Sequence, residues 1–230
     1  RQSAIVVGPT QTGKTTGLAI PAILEWNGPV VATSVKSDLL EDTIARRTAL
    51  HGHVWIYDPS ASSGWPGSTW TPLHGCRTWQ GAQERAAWLC AAGRQGRSGL
   101  EDADFWYAAA AKLLAPLLLA AATSDRTMED VLRWIDTEAR PEVLAMLDLT
   151  DSDAAVASFE ASTNREERVK SNIYATAETV VQAYADPRVL ESARGSDITA
   201  ARLLNGKANT LYVCAPAHEQ QRLRPLFSAL

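Results

Sequence analysis

The first sixty residues alternate short apolar runs with longer segments of helical periodicity. The apolar runs, Ser3–Val7, Pro29–Thr33 and Val54–Tyr57, are rich in β-branched residues and predict buried strands. Between them, Lys14–Glu25 and Leu39–Leu50 repeat apolar positions at helical spacing. Strands that alternate with helices in this way predict a parallel sheet with right-handed crossovers.

Two residues modify the predicted helices of this region. Pro21 falls inside the first helix, and proline lacks the N–H group that a helix interior needs, so a kink or an early end is expected there. Asp38 precedes the second helix and is predicted as its N-cap, because its carboxylate can accept hydrogen bonds from the first free N–H groups.

The pattern changes after the third predicted strand. Asp58–Thr78 is rich in Pro, Gly, Ser and Trp and predicts an ordered loop, whereas almost all of Trp79–Asp186 has helical periodicity. Strand character returns at Thr210–Ala215, and a last helix is predicted from Glu219. The helices predicted between these strands cover Gln80–Ala92, Asp102–Ala122, Met128–Thr137, Pro141–Asp148, Ser152–Ser162 and Glu166–Ala185.

These elements predict an α/β sheet core that an all-helical domain interrupts. The core is expected to comprise residues 1–78 and 187–230, and the insertion residues 79–186, which is itself a plausible domain size. Charge divides along the same line. The insertion carries 10 Lys and Arg against 18 Asp and Glu, a net charge of -8, whereas the rest of the chain has a net charge of +4.

Composition narrows the class of protein. The chain has 230 residues, of which 46% are hydrophobic, and a net charge of -4, which excludes disorder, collagen and a uniformly basic surface that grips nucleic acid. Its cysteines, Cys76, Cys90 and Cys214, are far apart and odd in number, which favours a reducing compartment. The most apolar stretch, Leu113–Thr123, contains Pro116 and is shorter than the ~20 residues that cross a bilayer, so a soluble polypeptide is expected.

One motif carries specific chemistry. Gly8–Thr15, with the sequence GPTQTGKT, satisfies G-x-x-x-x-G-K-[ST] between a predicted strand and a predicted helix, as a phosphate-binding loop requires. In such loops backbone N–H groups and a helix N-terminus surround phosphate oxygens. Lys14 is then placed to contact the β- and γ-phosphates of ATP, and Thr15 to coordinate Mg²⁺, so both are predicted as catalytic residues. The predicted nucleotide-binding residues are Gly8, Pro9, Thr10, Gln11, Thr12, Gly13, Lys14, Thr15 and Thr16.

An ATPase also needs a second carboxylate on a neighbouring strand. Asp58 ends the third predicted strand, but Pro59 follows it instead of an acidic residue, so we interpret Asp58 as a turn residue. No other apolar strand predicted from this sequence ends in Asp-Glu. Either the protein binds nucleotide without hydrolysing it well, or the missing strand follows Leu230. This chain alone is therefore expected to be a weak or inactive ATPase.

Lys36 follows the second predicted strand, at the edge where ligands bind in parallel sheets. A sensing or catalytic role and a solvated loop lysine are both open for it. The surrounding sequence, VKSD, resembles the guanine-reading motif of GTPases. It comes too soon after the phosphate loop, however, and Val35 replaces a needed polar residue, so we exclude a GTPase.

Three other groups of residues have weaker signals. His51 and His53 suggest a metal pair, but no carboxylate or thiol lies at ligand spacing, which favours exposed histidines. The tryptophans between Trp55 and Trp88 could stack on bases, but they are not interleaved with Lys or Arg, so packing is the better interpretation. Four arginines are candidates for arginine fingers, although solvated side chains are the simpler interpretation. They are Arg46, Arg47, Arg222 and Arg224.

In their order, these motifs resemble the type IV coupling-protein family, the TraG-type ATPases of conjugation and type IV secretion. The phosphate loop leads into a helix through Ile20–Pro21, and Lys36 follows the second strand where the family has a characteristic lysine. Phe105–Trp106 lies near the start of a long helix, and Asp186–Arg188 and Asn209–Tyr212 resemble the family's return to the sheet. The likeness covers essentially the whole chain.

The resemblance implies a RecA-like P-loop NTPase core that binds ATP and Mg²⁺, interrupted by an all-α domain. It also implies a homo-hexameric ring at the cytoplasmic face of the bacterial inner membrane, attached through segments absent from this chain. Such a ring moves single-stranded DNA with its relaxase, or secreted effector proteins, towards type IV secretion channel components. The chain is accordingly expected to be a fragment of a longer protein.

Other functions stay open as alternatives. A DNA-pumping ATPase of the FtsK or HerA kind shares the core but is expected to lack the helical insertion. A non-hydrolysing adaptor would use nucleotide as a structural switch, and a small-molecule kinase would need arginines in its lid, whereas this insertion is acidic. From the division of charge we expect DNA to follow the sheet domain and proteins such as the relaxosome to bind the helical one.

Overall fold

The computed structural model describes residues 4–9, 11–94 and 101–230, which form two compact units. The first, here called the sheet unit, comprises Arg1–Ser68 and Asp197–Ala217. The second, the helical unit, comprises Thr69–Ser196 and His218–Leu230. The helical unit therefore starts ahead of Trp79, where the sequence pattern places the insertion, and it includes the last helix of the chain.

Three parallel strands form the sheet in the order β1–β3–β2. In the centre, Thr210 lies opposite Val30 on one side and Val54 on the other. Because all three strands are parallel, their carboxyl ends meet at one edge of the sheet and their amino ends at the opposite edge. The elements of this unit are α1 (Ile20–Glu25), β1 (Val30–Ser34), α2 (Asp38–Ala49), β2 (Val54–Tyr57), α10 (Ala200–Leu203) and β3 (Thr210–Cys214).

A small apolar core joins the sheet to α1 and α2. A hydrogen bond of 2.6 Å between the hydroxyls of Thr43 on α2 and Tyr212 on β3 lies beside it. Paired in this way, the two buried hydroxyls avoid the cost of desolvation without a partner. The core consists of Ala32, Leu40, Ile56, Tyr212 and Cys214, with Ile23, Val30, Ile44 and Val54 packed against it.

The predicted first strand is not part of this sheet. Ile5, Val6 and Val7 have no strand conformation, and their side chains are 91%, 55% and 90% exposed. Ser3, which opens that prediction, lies outside the described residues. The prediction of a buried strand is wrong here because a strand is stable only beside a hydrogen-bonded neighbour, and none of the described strands pairs with this segment.

The helix after the phosphate loop begins with a π turn. This turn covers Thr15–Ala19 and continues directly into α1. The N–H of Ile20 donates to the carbonyl of Thr15, five residues earlier. Pro21 follows in the first turn of α1, where it needs no N–H group. The early end expected from this proline is not seen, because the helix continues to Glu25, and the irregularity is instead a wider turn on the amino-terminal side of the proline.

The helical unit contains all of the helices predicted for the insertion, with ends shifted by a few residues. Two short helices are additional to the prediction, α9 (Pro187–Ser192) in this unit and α10 in the sheet unit. The sequence pattern missed them because a helix of one turn or two has no measurable periodicity. The helices of this unit are α3 (Trp79–Arg94), α4 (Glu101–Thr123), α5 (Met128–Asp136), α6 (Arg140–Leu147), α7 (Asp153–Thr163), α8 (Glu167–Val181), α9 (Pro187–Ser192) and α11 (Gln220–Ala229), and a 3₁₀ turn (Gln182–Ala185) follows α8.

Helix α4 is the core of the helical unit. Among the described helices it alone is long and apolar enough to cross a membrane, over Ala103–Thr123, and 67% of its apolar window is buried. It packs against α3, α7 and α8 and continues through Pro116. An apolar helix that is buried by neighbouring helices is what the centre of a folded helical domain requires.

The predicted loop of residues 58–78 has no helix or strand. In the helical unit it is fixed by Arg85 of α3, whose guanidinium lies 5.3 Å from the ring centre of the buried Trp70 and 5.2 Å from that of Trp88. Arg85 also donates a hydrogen bond of 3.2 Å to the carbonyl of His74. Burial of Trp55 and Trp70 agrees with the interpretation of the tryptophans as packing residues, whereas Trp65 and Trp88 are 40% and 47% exposed and depart from it.

Candidate functional site

Residues 11–14 form a tight turn that leads into the π turn, and Gly8 and Pro9 lie close to it. Gln11 and Gly13 have φ angles of 64° and 76°, in the left-handed region. Gly13 is the second motif glycine, and glycine adopts this conformation without steric cost. The Thr12 hydroxyl closes the loop by donating a hydrogen bond of 2.9 Å to the carbonyl of Pro9.

Gly8, the first motif glycine, is required for a different reason. A Cβ atom at this position would lie 3.1 Å from the Thr12 hydroxyl oxygen and 3.9 Å from Lys14 Nζ. A side chain would therefore crowd the two polar groups on the concave side of the loop. The two motif glycines therefore have separate structural roles: Gly13 allows a left-handed backbone conformation, and Gly8 leaves room for the polar groups of Thr12 and Lys14.

Lys14 places its ammonium group inside this loop. Nζ donates to the carbonyl of Gly8 at 2.7 Å and to the carbonyl of Pro9, and it lies 3.4 Å from the Thr12 hydroxyl oxygen. The cation is therefore held by neutral acceptors at the place where the motif would surround an anion. Hydrogen bonds between two charged groups are stronger than those to neutral carbonyls, so a phosphate oxygen is a better partner for this ammonium.

Thr15 is half-buried at the start of the π turn, and within the described part of the chain its hydroxyl makes no hydrogen bond. Thr16 directs its hydroxyl to the carbonyl of Gly13, 3.5 Å away. The Thr15 hydroxyl thus fits the hard oxygen ligand that Mg²⁺ prefers, and phosphate oxygens would complete such a site. The described residues contain no group of three His, Cys, Asp or Glu side chains that could hold a metal ion by themselves. Thr10 lies outside the described residues.

Asp58 is buried at the carboxyl end of β2, and its carboxylate closes a turn. It accepts hydrogen bonds from the hydroxyls of Ser60 at 2.9 Å and Ser62 at 3.2 Å, and from the N–H of Ser63 at 2.6 Å. These donors occupy both carboxylate oxygens. The arrangement supports the interpretation of Asp58 as a turn residue rather than as a metal ligand.

Lys36 is exposed just beyond the carboxyl end of β1. Its backbone N–H donates to the Ser34 hydroxyl at 3.1 Å, a contact that fixes the backbone and does not involve the side-chain ammonium group. Asp38 is not the N-cap that the sequence predicts. It is the first residue of α2 and accepts from the N–H of Leu39 at 2.9 Å, while Ser37 occupies the N-cap position without a side-chain cap. Its charge still lies at the helix N-terminus, where a carboxylate is favourable.

Arg47 is fully buried, so it is neither a solvated side chain nor free to act as an arginine finger. Its guanidinium donates to the Thr210 hydroxyl at 2.7 Å and to the carbonyls of Gly28 at 2.7 Å and Ala208 at 3.1 Å. It also donates to the carbonyl of Trp26, just past the end of α1. Burial lowers its pKa, and among the described residues no carboxylate pairs with it.

The buried role of Arg47 was not predicted from the sequence, although one signal was present. Leu40 and Thr43, the other buried residues of α2, lie on the same helical face as Arg47 at intervals of three and four. Arg46, the neighbour in sequence, points about 100° around the helix from Arg47 and is exposed. An arginine on an apolar stripe predicts burial with hydrogen-bond partners, whereas the same residue one position away does not.

Arg222, on α11, belongs to an ion-pair network of the helical unit. It lies 2.7 Å from Glu219 and 3.2 Å from Asp186, and Arg188 lies 2.9 Å from the same Asp186 carboxylate. Hydrogen bonds from Arg188, with the charges of Arg188 and Arg222, lower the pKa of Asp186 from 3.8 to about 2. Arg224 is half-buried.

The sequence of this chain matches known proteins of conjugation over nearly its whole length. The model of the family described as Type IV secretory system Conjugative DNA transfer matches residues 2–230. The conjugal transfer protein TraG of Escherichia coli is 25% identical over 251 residues, which cover 98% of this chain and 38% of TraG. Protein VirD4 of Rhizobium radiobacter is 39% identical over 56 residues, or 24% of this chain and 8% of VirD4.

Solved structures support the same fold. The bacterial conjugative coupling protein TrwBdeltaN70, in its unbound monoclinic form, has a TM-score of 0.53 and 15% identity over 86% of this chain and 48% of that chain. Its trigonal form in complex with sulphate has a TM-score of 0.50 and 16% identity. The predicted RecA-like P-loop NTPase fold is thereby confirmed, and the chain spans less than half the length of TraG or TrwBdeltaN70. Since the family match extends from residue 2 to residue 230, this chain belongs to the conjugative DNA transfer family of type IV secretory systems, as a coupling protein of the TraG type.

Proposed function

We propose that this chain is the nucleotide-binding part of an ATP-driven coupling protein that moves single-stranded DNA, proteins or both through a type IV secretion system. The observation that carries the proposal is the loop Gly8–Thr15, with its left-handed Gly13 and with Lys14 Nζ held on its concave side. Membership of the conjugative DNA transfer family supports single-stranded DNA and its accompanying proteins as the molecules that are moved. The loop supports ATP as the energy source.

In this proposal Lys14 exchanges its carbonyl partners for phosphate oxygens when nucleotide binds. The ammonium leaves the carbonyls of Gly8 and Pro9 and contacts the β- and γ-phosphates, while N–H groups at the start of the helix donate to the same oxygens. Thr15 supplies a hydroxyl ligand for Mg²⁺. A Mg²⁺ ion held by this hydroxyl would supply positive charge to the transferred phosphoryl group. The other described residues of the loop, Gly8, Pro9, Gln11, Thr12, Gly13 and Thr16, shape the phosphate cradle.

Hydrolysis needs a group that positions the attacking water. Asp58 is engaged by its own turn, so we expect that group from parts of the protein outside this chain. Residues 1–230 alone are then a weak or inactive ATPase. Lys36, exposed at the carboxyl edge of the sheet, is the residue we propose as a sensor of the γ-phosphate.

The assembly and partners belong to the same proposal. We expect a homo-hexamer at the cytoplasmic face of the bacterial inner membrane, attached through segments outside residues 1–230. Its partners are single-stranded DNA, a relaxase or relaxosome, secreted effector proteins and components of the secretion channel. Family membership supports these partners as a group.

Two alternatives differ in their support. A DNA-pumping ATPase of the FtsK or HerA kind is disfavoured because the family match runs through the entire helical unit. A non-hydrolysing, nucleotide-switched adaptor is the second candidate function, and the engagement of Asp58 in a turn favours it. ATP turnover separates the adaptor from the motor.

Isothermal titration calorimetry with ATP and Mg²⁺ tests the proposed nucleotide site. Lys14→Ala should weaken ATP binding at least about tenfold, because hydrogen bonds to charged groups contribute about 1.5–3 kcal/mol. Thr15→Ala should remove most of the Mg²⁺-dependent part of the affinity. Lys112→Ala, which removes an exposed lysine from α4, is the matched control and should leave binding unchanged. Absence of binding heat in the unaltered chain, or equal affinities for Lys14→Ala and Lys112→Ala, would contradict the proposal.

A further inference from the structure

A cavity of about 610 Å³ lies at the edge of the sheet unit where the amino ends of β2 and β3 meet. It is on the opposite edge from Lys36 and Asp58, and none of the described residues of the phosphate loop lines it. The cavity is therefore separate from the proposed nucleotide site. The lining residues that matter here are His51, His53, Trp55, Arg202, Lys207 and Asn209.

The wall of this cavity is rigid because backbone segments meet there without intervening side chains. A Cβ atom at Gly52 would overlap the carbonyl of Ala208, so only glycine permits this approach. The N–H of His53 donates to the Asn209 side-chain oxygen at 2.8 Å. Asn209 is 1% exposed, and its amide donates to the carbonyl of Arg202 at 2.8 Å. One buried asparagine thus joins the two segments that carry the histidines and the cations.

The cavity combines positive charge with flat rings. Arg202 and Lys207 are exposed, and Arg202 is oriented by a hydrogen bond of 2.9 Å to the backbone carbonyl of Asp197. Asp197 supplies the single carboxylate among the described lining residues, so cations outnumber anions. The exposed His53 ring lies 4.4 Å from the ring of the buried Trp55, centre to centre, with the two planes at 46°, so a fixed neighbour supports the imidazole on one side.

The sheet unit as a whole is not basic enough to attract nucleic acid through its overall charge. Within its structural boundaries the sheet unit carries 7 Lys and Arg against 6 Asp and Glu, a net charge of only +1. Sequence-independent affinity for nucleic acid comes from cations that neutralise individual phosphates. In a nearly neutral unit, such affinity must come from local clusters, and Arg202 and Lys207 form one beside an aromatic ring.

We propose that this cavity binds one nucleotide unit of a single-stranded nucleic acid. Arg202 and Lys207 contact its phosphate, and the base stacks on His53. The volume suits an organic ligand, since such sites occupy about 300–1,000 Å³. Phosphate contacts and stacking are available to every base, so recognition is independent of sequence. The identity of the strand rests on the proposed function, because a conjugative coupling protein is where such a strand would be found.

Fluorescence anisotropy with a labelled oligodeoxythymidine and the 230-residue chain tests the site. Lys207→Ala should weaken binding and reduce the slope of log affinity against log salt concentration by about 0.7, the value for one phosphate contact on a single strand. Arg46→Ala is the matched control, because it removes one exposed cation of the sheet unit that does not line the cavity. That variant should leave both the affinity and the slope unchanged.

The stacking role of His53 is tested separately. His53→Ala should weaken oligonucleotide binding about thirtyfold, the middle of the range measured for loss of one base-stacking ring. His53→Tyr keeps a flat ring and should retain most of the affinity. A merely structural role would affect both variants alike, and equal losses would overturn the stacking assignment.

Three further outcomes would overturn the proposal. They are equal effects of Lys207→Ala and Arg46→Ala, displacement of the oligonucleotide by inorganic phosphate at matched ionic strength, and no oligonucleotide binding at all. Displacement by phosphate would indicate a simple anion site. ATP binding, measured in parallel, should be unchanged in the Lys207 and His53 variants. Loss of ATP binding in the unaltered chain, with oligonucleotide binding intact, would count against the nucleotide-driven motor and leave this site standing.

Discussion

Arg47 shows how one buried side chain can organise an α/β unit without an opposite charge. Its guanidinium donates to the Thr210 hydroxyl and to backbone carbonyls that include those of Gly28 and Ala208. Burial disfavours the cation and lowers its pKa, and these acceptors compensate for the lost water. The residue donates to carbonyls just past the end of α1 and, at Ala208, to a buried carbonyl just before β3.

Arg47→Ala is therefore expected to lower the free energy of unfolding of the sheet unit by about 3–5 kcal/mol, because it leaves several carbonyls unpaired and creates a cavity. Urea denaturation followed by circular dichroism measures this change. Arg46→Ala, at the exposed neighbouring position, should stay within about 0.5 kcal/mol of the unaltered chain. Similar losses in both variants would show that the buried contacts contribute little.

At the scale of elements, short helix α9 depends on charge at its first turn. Asp186 is its N-cap and accepts from the backbone N–H of Arg188 at 2.9 Å, in addition to its ion pairs with Arg188 and Arg222. These contacts lower the folded-state pKa of Asp186 from 3.8 to about 2. A carboxylate with a lowered pKa stabilises the fold at pH values above its unfolded pKa, and this contribution is lost as the pH falls through about 2.

Asp186→Asn should accordingly lower the melting temperature of the helical unit at pH 7, and the difference from the unaltered chain should shrink between pH 4 and pH 2. Thermal denaturation at a series of pH values provides the measurement. Asp136→Asn removes an exposed carboxylate from α5 of the same unit and should show no comparable pH-dependent difference. A deficit for Asp186→Asn that is constant with pH would rule out the charge as its origin.

The sequence pattern predicted some elements well and others not, for physical reasons. Val54–Tyr57 and the long helices of the helical unit follow from their own periodicity, since each carries its buried face in its local sequence. The run ending in Val7 has strand propensity, but a strand depends on a neighbour that local sequence does not show. Burial of Arg47 and the cavity wall at Asn209 likewise depend on contacts between residues far apart in sequence.

The candidate nucleotide site was the part most accessible to sequence analysis. Its loop is a local structure, so eight consecutive residues specify its glycines and its cation. The position of Lys14 Nζ on the carbonyls of Gly8 and Pro9 was not predictable, because several rotamers of a long side chain fit the motif equally well. Asp58 required tertiary information to show that both carboxylate oxygens are engaged.

At the scale of the whole molecule, the two units differ less in charge than the sequence boundaries implied. The helical unit carries 15 Lys and Arg against 20 Asp and Glu, a net charge of -5, and the sheet unit has a net charge of +1. The difference still supports a proposal in which DNA follows the sheet unit and proteins bind the helical unit. Because the net charge of the sheet unit is so small, its DNA affinity is expected to come from local clusters such as Arg202 and Lys207 rather than from overall charge.

Comparison of ATP turnover between this chain and a protein of the length of its relatives tests the proposed motor. The chain spans 38% of TraG, and we expect residues 1–230 to bind ATP with little turnover. The longer protein should hydrolyse ATP, and faster with single-stranded DNA. If the longer protein binds ATP and never turns it over, the nucleotide-switched adaptor is the correct function.

Arg47 also has a mechanical consequence. A single planar group joins the backbone behind the phosphate loop to Ala208 and Thr210, whose neighbours Lys207 and Asn209 line the opposite edge of the sheet. If nucleotide binding displaces α1, it must either break these hydrogen bonds or move the cavity wall at Lys207 and Asn209 as well. Slower amide hydrogen exchange at residues 208–210 on addition of ATP would report this coupling. The guanidinium of Arg47 would then connect the nucleotide site rigidly to the start of β3.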